Sequence, residues 1–494
     1  MPAIKQDLLS FLTKVSAILI QHNCQAYLVG GFVRDWLLGR EVADVDIAVS
    51  GNALDMAQEV AEAIEGKFVL LDEVNMVARV VAVEAKQTWH LDICSFSDSI
   101  ESDLARRDFT IDAMAMELKG LVSDSSQVIT PFSGESDLKA GLVRAVSQRI
   151  FDEDAARLLR AVRLAAELGF KIEPKTESLI RQNCQLIRLV PGERLREELL
   201  RLLALSDFAG LVRYMDRLAL LTEIVPELAE MREVEQPKEH FWDVFNHSVE
   251  TVATVEFLLR ESGWIYGKGD LLTVTPWSQE MRQHFDEEVS SGSNRRQLLK
   301  LGGLLHDIAK PVTKAVDETG RMRFLGHPKQ GAAMAVAILN RLRFSNREIS
   351  LVENLVYSHL RPAQMSNSGF PTSRAIYRYF RDTGSDGIDI LLLALADYLA
   401  THGPRLDIEE WEQHNRLINY ILIEHSRQQA KALPSKLVDG HDLMSVFGLG
   451  PGHLVGELLT LVHEAQAADE VGTREEAIAL VRKELKGRRC SIAS

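Results

Sequence analysis

The spacing of apolar residues changes along this chain, and each change predicts an element. Residues 1–15, MPAIKQDLLSFLTKV, have the pattern of an amphipathic helix. Residues 28–50 read LVGGFVRDWLLGREVADVDIAVS. A short apolar strand breaks at Gly30-Gly31, FVRDWLLG has apolar residues at helical spacing, and residues 44–49 alternate. The order is strand, glycine turn, helix, strand. Residues 54–64 predict a helix, and residues 67–71, 78–83 and 88–93 predict strands, giving a small α/β head over residues 1–150. Helical spacing then takes over. Residues 151–170, FDEDAARLLRAVRLAAELGF, predict one amphipathic helix ending at Gly169. Residues 433–449 and 454–468 predict two more, separated by GLGPGHLVG.

The alternation puts Asp44 and Asp46 on one strand face while Val45 and Ile47 point into a core. Two carboxylates so close repel each other unless solvated or bridged, and hard oxygen ligands suit Mg²⁺ carrying substrate phosphates. The glycine pair offers backbone N–H groups with no Cβ in the way, at a helix start where an anion is favoured. Alone, D-x-D is usually a solvated strand face and a glycine pair only a turn. Joined in this order, they describe a phosphate cradle facing a metal site.

With GG-x-x-R-D ahead of D-V-D, the stretch resembles the head signature of the class II tRNA nucleotidyltransferases, the CCA-adding enzymes and bacterial poly(A) polymerases. The resemblance implies a polymerase-β-like nucleotidyltransferase head. It also implies Mg²⁺ held by the catalytic pair Asp44 and Asp46, and Gly30, Gly31 and Arg34 placing the triphosphate of CTP or ATP. Residues 105–118, ARRDFTIDAMAMEL, carry it further: charges gather before an apolar run that reads as helical, with Asp108 as its cap. Here the resemblance implies that Arg107 and Asp108 contact the nucleotide, Asp108 at the ribose hydroxyls. Asp112 stands where the family usually has Asn. Asp92 occupies a strand position where such folds can carry a further carboxylate, and an exposed strand face explains it equally well. Between Phe96 and Glu101 only SDSI intervenes, where full CCA-adding relatives have a flexible loop. That shortening resembles the CC-adding subgroup.

In the helical neck, residues 151–235, Glu153 and Asp154 complement a helix dipole. Asp154 and Arg157 are three apart, which predicts a shared helical face with an acceptor beside a donor. Cytosine and adenine each offer an amino donor beside a ring-nitrogen acceptor, whereas guanine and uracil present a carbonyl beside a ring N–H. Such a pair selects C and A without a nucleic-acid template. EDAAR also matches the family's E-D-x-x-R motif, credited with this role. The resemblance continues through Arg160 and Arg163, implying nucleotide contacts. It reaches GERLREELLRLL, residues 192–203, whose expected part is salt-linked support of the base-selecting helix.

Histidines set the next region apart, residues 236–405. His247, the adjacent pair His306-Asp307, His327, His359 and Asp397 follow one another on predicted helices. Imidazole with carboxylate suits a divalent transition metal without choosing among them. The order resembles the HD superfamily of metal-dependent phosphohydrolases, which implies His247, His306, Asp307 and Asp397 as the main metal set. It implies His327 and His359 at a second metal or the substrate phosphate, Lys310 neutralising charge, and hydrolysis of a phosphomonoester or cyclic phosphodiester. Residues 266–296 are polar and read as a partly flexible insertion. The tail, residues 406–494, is helical and by resemblance contacts tRNA; its last residues, GRRCSIAS, read as disordered.

Composition bounds these readings. The 494 residues exceed one ordinary core, and 46% hydrophobic with 26% charged residues fit a soluble multi-domain chain. A net charge of -15 excludes a uniformly basic surface, so RNA contact must be local, through Arg106-Arg107, residues 194–201 or Arg295-Arg296. The four cysteines are scattered and read as reduced thiols. No apolar run is long enough to span a membrane, and a cytoplasmic location is expected. The reading is thus an α/β head followed by all-α neck, HD and tail domains that adds C and A to tRNA. Its rivals are CC-only addition, a bacterial poly(A) polymerase, and a phosphohydrolase whose HD domain carries the main activity.

Overall fold

The computed structural model describes residues 6–42, 44–84, 87–122, 127–267, 271–366, 369–430, 437–468 and 470–492. The chain forms two compact units, residues 1–198 with 214–224 and residues 199–213 with 225–494.

The first unit is built on seven strands: β1 (Ala26–Val29), β2 (Asp44–Ser50), β3 (Lys67–Asp72), β4 (Val77–Glu84), β5 (Gln87–Phe96), β6 (Ala115–Glu117) and β7 (Val128–Ile129), in the order β3-β4-β5-β2-β1-β6-β7. In this sheet only β2 and β5 are parallel. Their connection runs through the helix Ala53–Ala63 and the β3–β4 hairpin, as a parallel pair requires a crossover. On β2, Val45 and Ile47 are buried while Asp44 is exposed and Asp46 half-buried, the predicted alternation. The link after β5 is shorter than expected: Ile100 already belongs to the helix Ile100–Ala105, which Ser99 caps.

Two predicted helices are corrected. Residues after Asp108 form a 3-10 turn, Thr110–Asp112, and then strand β6. Phe109, Ile111 and every residue from Ala113 to Met116 are buried, and the edge of β1 takes Met116 opposite Leu28, so sheet pairing prevails over the helical pattern. The neck helix is also broken. Ile150–Glu153 and Arg157–Leu168 are separate, because Asp154 is extended (φ -151°, ψ 104°) and its side chain accepts the Ala156 N–H. Asp154 and Arg157 therefore do not share a helical face. Gly169 closes the second helix in the left-handed conformation, φ 70°.

The second unit packs Val244–Leu258, Arg295–Leu305, His327–Arg341, Asn346–Ser358 and Asp386–His402 against one another. The expected flexible insertion is structured where described: helices Leu271–Val274 and Gln279–Asp286, then a hairpin of Glu288–Ser290 and Ser293–Asn294. Residues 268–270 lie outside the described residues. Trp277 stacks on Phe285 at 6.0 Å, and Arg295 is buried among Glu287, Asp386 and Asp389. Arg295 and Arg296, which pairs with Asp286 and Glu261, are thus ion-paired rather than a free basic patch. A long helix, Ile408–Ala430, leads to the tail helices Gly440–Phe447, His453–Ala467 and Arg474–Ile492 around Leu443, Leu458, Val462 and Val481. The last helix runs through Lys486, where disorder was expected, to Ile492. Among the described residues, no helix is long and apolar enough to cross a membrane, and Cys24, Cys94 and Cys184 are free thiols.

Candidate active site and metal centre

The parallel register sets Asp46 opposite Asp92 and Asp44 opposite His90. Asp92 is not free: Arg79, facing it from β4, donates to both its oxygens at 2.7 and 2.8 Å. Burial pushes the Asp46 carboxyl up to about 6, opposed by Arg107 and reinforced by Asp92 and Asp44. With Arg79 taken up by Asp92, the carboxylates of Asp44 and Asp46 remain as hard oxygen donors that suit a divalent cation. Gly30 has φ +66°, and a Cβ there would lie 2.8 Å from Nη1 of Arg107 and 3.7 Å from Oδ2 of Asp46. Glycine at this turn lets Arg107 approach the carboxylate, while Asp103 holds the same guanidinium at 3.0 Å.

Arg34 is engaged. Nε and Nη2 donate to the two oxygens of Asp35 at 2.9 and 2.8 Å, and Nη1 donates to Asp112 at 2.6 Å. On its other side Asp112 lies 3.7 Å from Arg160, whose Nε is 2.7 Å from Asp108. Asp35, Arg34, Asp112, Arg160 and Asp108 thus form one alternating chain of charge. The carboxylate at position 112 joins two guanidinium groups, where an asparagine would offer its oxygen to only one.

Asp154 and Arg157 have different partners. Arg194 donates to both oxygens of Asp154 at 3.0 and 2.8 Å. Arg157 donates to the carbonyls of Arg106 and Ile150 at 2.9 and 3.3 Å and pairs with Glu153. Arg163 is buried between Glu167 and Glu198, at 2.5 and 2.6 Å. The helix Gly192–Leu203 therefore braces the neck through Arg194 and Glu198. Their spacing of four in GERLREEL was the signal for a shared face; which carboxylate or guanidinium each would meet was not readable locally.

Helix ends converge on the second cluster. His247 lies inside Val244–Leu258, His306 and His359 cap the C-termini of Arg295–Leu305 and Asn346–Ser358, His327 opens its helix, and Asp397 lies in Asp386–His402. Asp307 is shared. Its Oδ2 lies 3.4 Å from His247, 3.2 Å from His306 and 2.6 Å from Lys310, and its Oδ1 lies 3.3 Å from His327. Asp397 is 3.0 Å from His247. His306, His327 and His359 turn Nδ1 to backbone carbonyls at 2.7 to 2.8 Å, which aims Nε2 inward. Burial pushes His359 down to about 4, so it stands neutral with a lone pair available. Despite these charged neighbours, both oxygens of Asp307 are buried without an aligned hydrogen-bond donor. His247, His306 and Asp307 form one group able to hold a metal ion, and Asp307, His327 and His359 a second. Lys310 also donates to Gln236, and His240 packs 5.4 Å from His247; neither Gln236 nor His240 carries a motif that marks it.

Three family models match: "Poly A polymerase head domain" over residues 26–144, "Probable RNA and SrmB- binding site of polymerase A" over residues 169–232, and "HD domain" over residues 244–402. An A-adding tRNA nucleotidyltransferase of Deinococcus radiodurans is 32% identical over 464 residues, 93% of this chain and 95% of its own. This chain belongs to the tRNA nucleotidyltransferase family. A CC-adding tRNA nucleotidyltransferase of Thermus thermophilus is likewise 32% identical, over 92% of this chain and 93% of its own. The fold of this nucleotidyltransferase also resembles that of a Thermotoga maritima CCA-adding enzyme solved in complex with tRNA: TM-score 0.62, 22% identity, covering 98% and 96% of the two chains. The A-adding and the CC-adding relative are each 32% identical to this chain.

Proposed function

We propose that this nucleotidyltransferase adds C and A from CTP and ATP to the 3′ end of tRNA without a nucleic-acid template. The observation carrying this reading is the set Asp44, Asp46, Gly30 and Arg107 gathered at one end of β2. Mg²⁺ held by Asp44 and Asp46 would supply charge neutralisation at the attacking and leaving oxygens. Gly30 and Gly31 leave the backbone open to the triphosphate, Arg107 offers it a cation, and Arg34 anchors the charge chain beneath. Asp108, held by Arg160, accepts from the ribose hydroxyls. Asp154 accepts from the amino group of C or A while Arg157 turns from its carbonyl partners to donate to the base. The 3′-hydroxyl attacks the α-phosphate in line and pyrophosphate leaves. The head spans residues 1–150, the neck 151–235, the HD part 236–405 and a tRNA-binding tail 406–494. The protein works in the cytoplasm, a location that suits a tRNA substrate and reduced thiols. In the HD part, His247, His306, Asp307 and Asp397 would hold a divalent transition metal, with His327 and His359 beside a second ion or the phosphate of a phosphomonoester or cyclic phosphodiester.

A second reading, CC-only addition, is favoured by the link between β5 and the next helix, which is only Ser97, Asp98 and Ser99 and too short for a mobile loop. One experiment separates the readings: transcripts ending before CCA, after C and after CC, each with CTP and ATP alone. C on the first two and A on the third supports full addition; C without A supports the second reading; repeated A marks a poly(A) polymerase. No incorporation on any acceptor with Mg²⁺ refutes the proposal.

A further inference from the structure

The head sheet lines up one row of charge across three strands. Asp46 on β2 stands opposite Asp92 on β5, and Asp92 stands opposite Arg79 on β4; residues paired across strands share a face of the sheet. A guanidinium has five N–H donors, and Asp92 takes the one on Nε and one on Nη2, at 2.7 and 2.8 Å, which leaves three. The Arg79 side chain is 34% exposed, so these donors are open to a ligand. An ion pair this exposed adds little to stability. Its effect is to fix a guanidinium beside the catalytic pair: Asp92, and at longer range Asp44 and Asp46, hold Arg79 above its ordinary range and therefore a cation.

The sheet order gives this row a direction. β2 lies between β1 and β5. The glycine turn follows β1, where a Cβ on Gly30 would come 3.7 Å from Oδ2 of Asp46, while Asp92 and Arg79 stand on the opposite side, on β5 and β4. In-line displacement keeps the attacking and leaving oxygens on opposite sides of the phosphorus. With the triphosphate on the glycine turn, pyrophosphate leaves on the β1 side and the attacking 3′-hydroxyl must come from the β5 side. An RNA strand arriving there brings its phosphates toward Asp44 and Asp46, which repel them. We propose that Arg79 binds the last phosphodiester of the acceptor strand, two of its remaining N–H groups donating to the phosphate oxygens, and so sets the 3′-hydroxyl on the β5 side of Asp46. This rests on the reading of Gly30 and Gly31 as the triphosphate cradle. Asp92 is the positioning residue: it keeps the guanidinium from turning onto Asp44 or Asp46, whose oxygens the Mg²⁺ needs.

The test is single-nucleotide incorporation by the full chain, on the tRNA acceptor that the wild type extends and with the nucleotide that it adds there. The acceptor is used as it stands and with its last phosphodiester replaced by a neutral methylphosphonate. Arg79→Ala is expected to raise KM for the acceptor by about tenfold to a hundredfold, to leave KM for the nucleotide within about twofold, and to flatten the salt dependence of acceptor binding by roughly 0.7, the share of one phosphate on a single strand. Arg79→Lys, a point charge without the fork, should fall between it and wild type. The neutral linkage should cost the wild type as much as the substitution does, and cost Arg79→Ala nothing further. Lys139→Ala removes an exposed charge elsewhere in the head and should change neither KM. An unchanged acceptor KM in Arg79→Ala, a rise confined to the nucleotide, an equal rise in Lys139→Ala, or losses that add in the double change each overturn the inference, while incorporation by the wild type leaves the nucleotidyl-transfer reading standing. No incorporation by the wild type removes both. Should Arg79→Ala fail to fold, Arg79→Lys takes its place with the neutral linkage, and additive losses there refute the contact.

Discussion

Gly30→Ala separates what a turn needs from what a site needs. Gly30 combines φ 66° with ψ -132°, a region that only glycine occupies readily, and forcing alanine there costs about 1–3 kcal/mol. A unit of this size then melts lower by roughly 2–4 °C for each kcal/mol. The new Cβ would sit 2.8 Å from Nη1 of Arg107. That atom is the far end of a flexible side chain, so the clash adds little to the loss of stability; it is relieved by moving the guanidinium. The cost appears instead in catalysis, because Arg107 leaves its place beside Asp46, and a charge-assisted contact of about 1.5–3 kcal/mol corresponds to roughly a tenfold to hundredfold loss of rate. Gly39 supplies the control, since it also has φ +66° and a Cβ there would meet nothing within 4 Å. Single-turnover incorporation of CTP and calorimetric melting on both variants give the answer. Gly39→Ala should lose melting temperature and keep its rate; Gly30→Ala should lose both. If Gly30→Ala incorporates within twofold of wild type while melting as Gly39→Ala does, Arg107 has no role at the triphosphate and the glycine serves the turn alone.

Asp44→Ala and Asp46→Ala should each abolish incorporation in Mg²⁺ with little change in melting temperature; a residual rate above about a hundredth of wild type contradicts a shared ion. Removing Asp307 should empty both ion groups of the HD part, whereas His359→Ala should cost one ion per chain, read by elemental analysis after loading with Mn²⁺ or Ni²⁺. Unchanged hydrolysis of bis-p-nitrophenyl phosphate in His306→Ala would refute metal-dependent hydrolysis there. Glu256 gives a pH signature: burial pushes its carboxyl up to about 7 against the pull of Lys300. The folded state binds this proton more tightly than the unfolded chain, whose value is about 4.3. Stability from Glu256 is therefore full below about pH 4 and lost as pH rises to about 7, about 3–4 kcal/mol in all. Glu256→Gln lacks that slope, and Lys300 keeps Glu261 at 2.7 Å, so the variant should gain on wild type in urea between about pH 5 and pH 8. Parallel profiles would show that Glu256 ionises normally.

The sequence read best where the cause was local. Alternation over residues 44–49 sufficed for β2, since each residue's face follows from its neighbours, and the histidines lay in short motifs of their own. The break at Asp154 was hidden because Ile150, Phe151, Leu158 and Val162 all fit one apolar face; the side chain's preference for the Ala156 N–H decided the backbone. Residues 109–116 were ambiguous between periods, and a free edge of β1 made them a turn and a strand. The polar insertion concealed Trp277 on Phe285 and the buried Arg295. Partners forty residues apart, such as Arg194 on Asp154, exist only after folding.

The parallel pairing of β2 with β5 also makes the site depend on distant chain. The helix Ala53–Ala63 and the β3–β4 hairpin lie in the chain between Asp46 and Asp92, which the register sets side by side. Pairings separated so far along the chain carry a loop-closure cost that the local signature does not. The acidic end of β2 therefore depends on a strand 46 positions away, with Arg79 brought on the adjacent strand to neutralise one carboxylate. A nascent chain released before β5 would hold the signature residues 28–50 intact and still have no site.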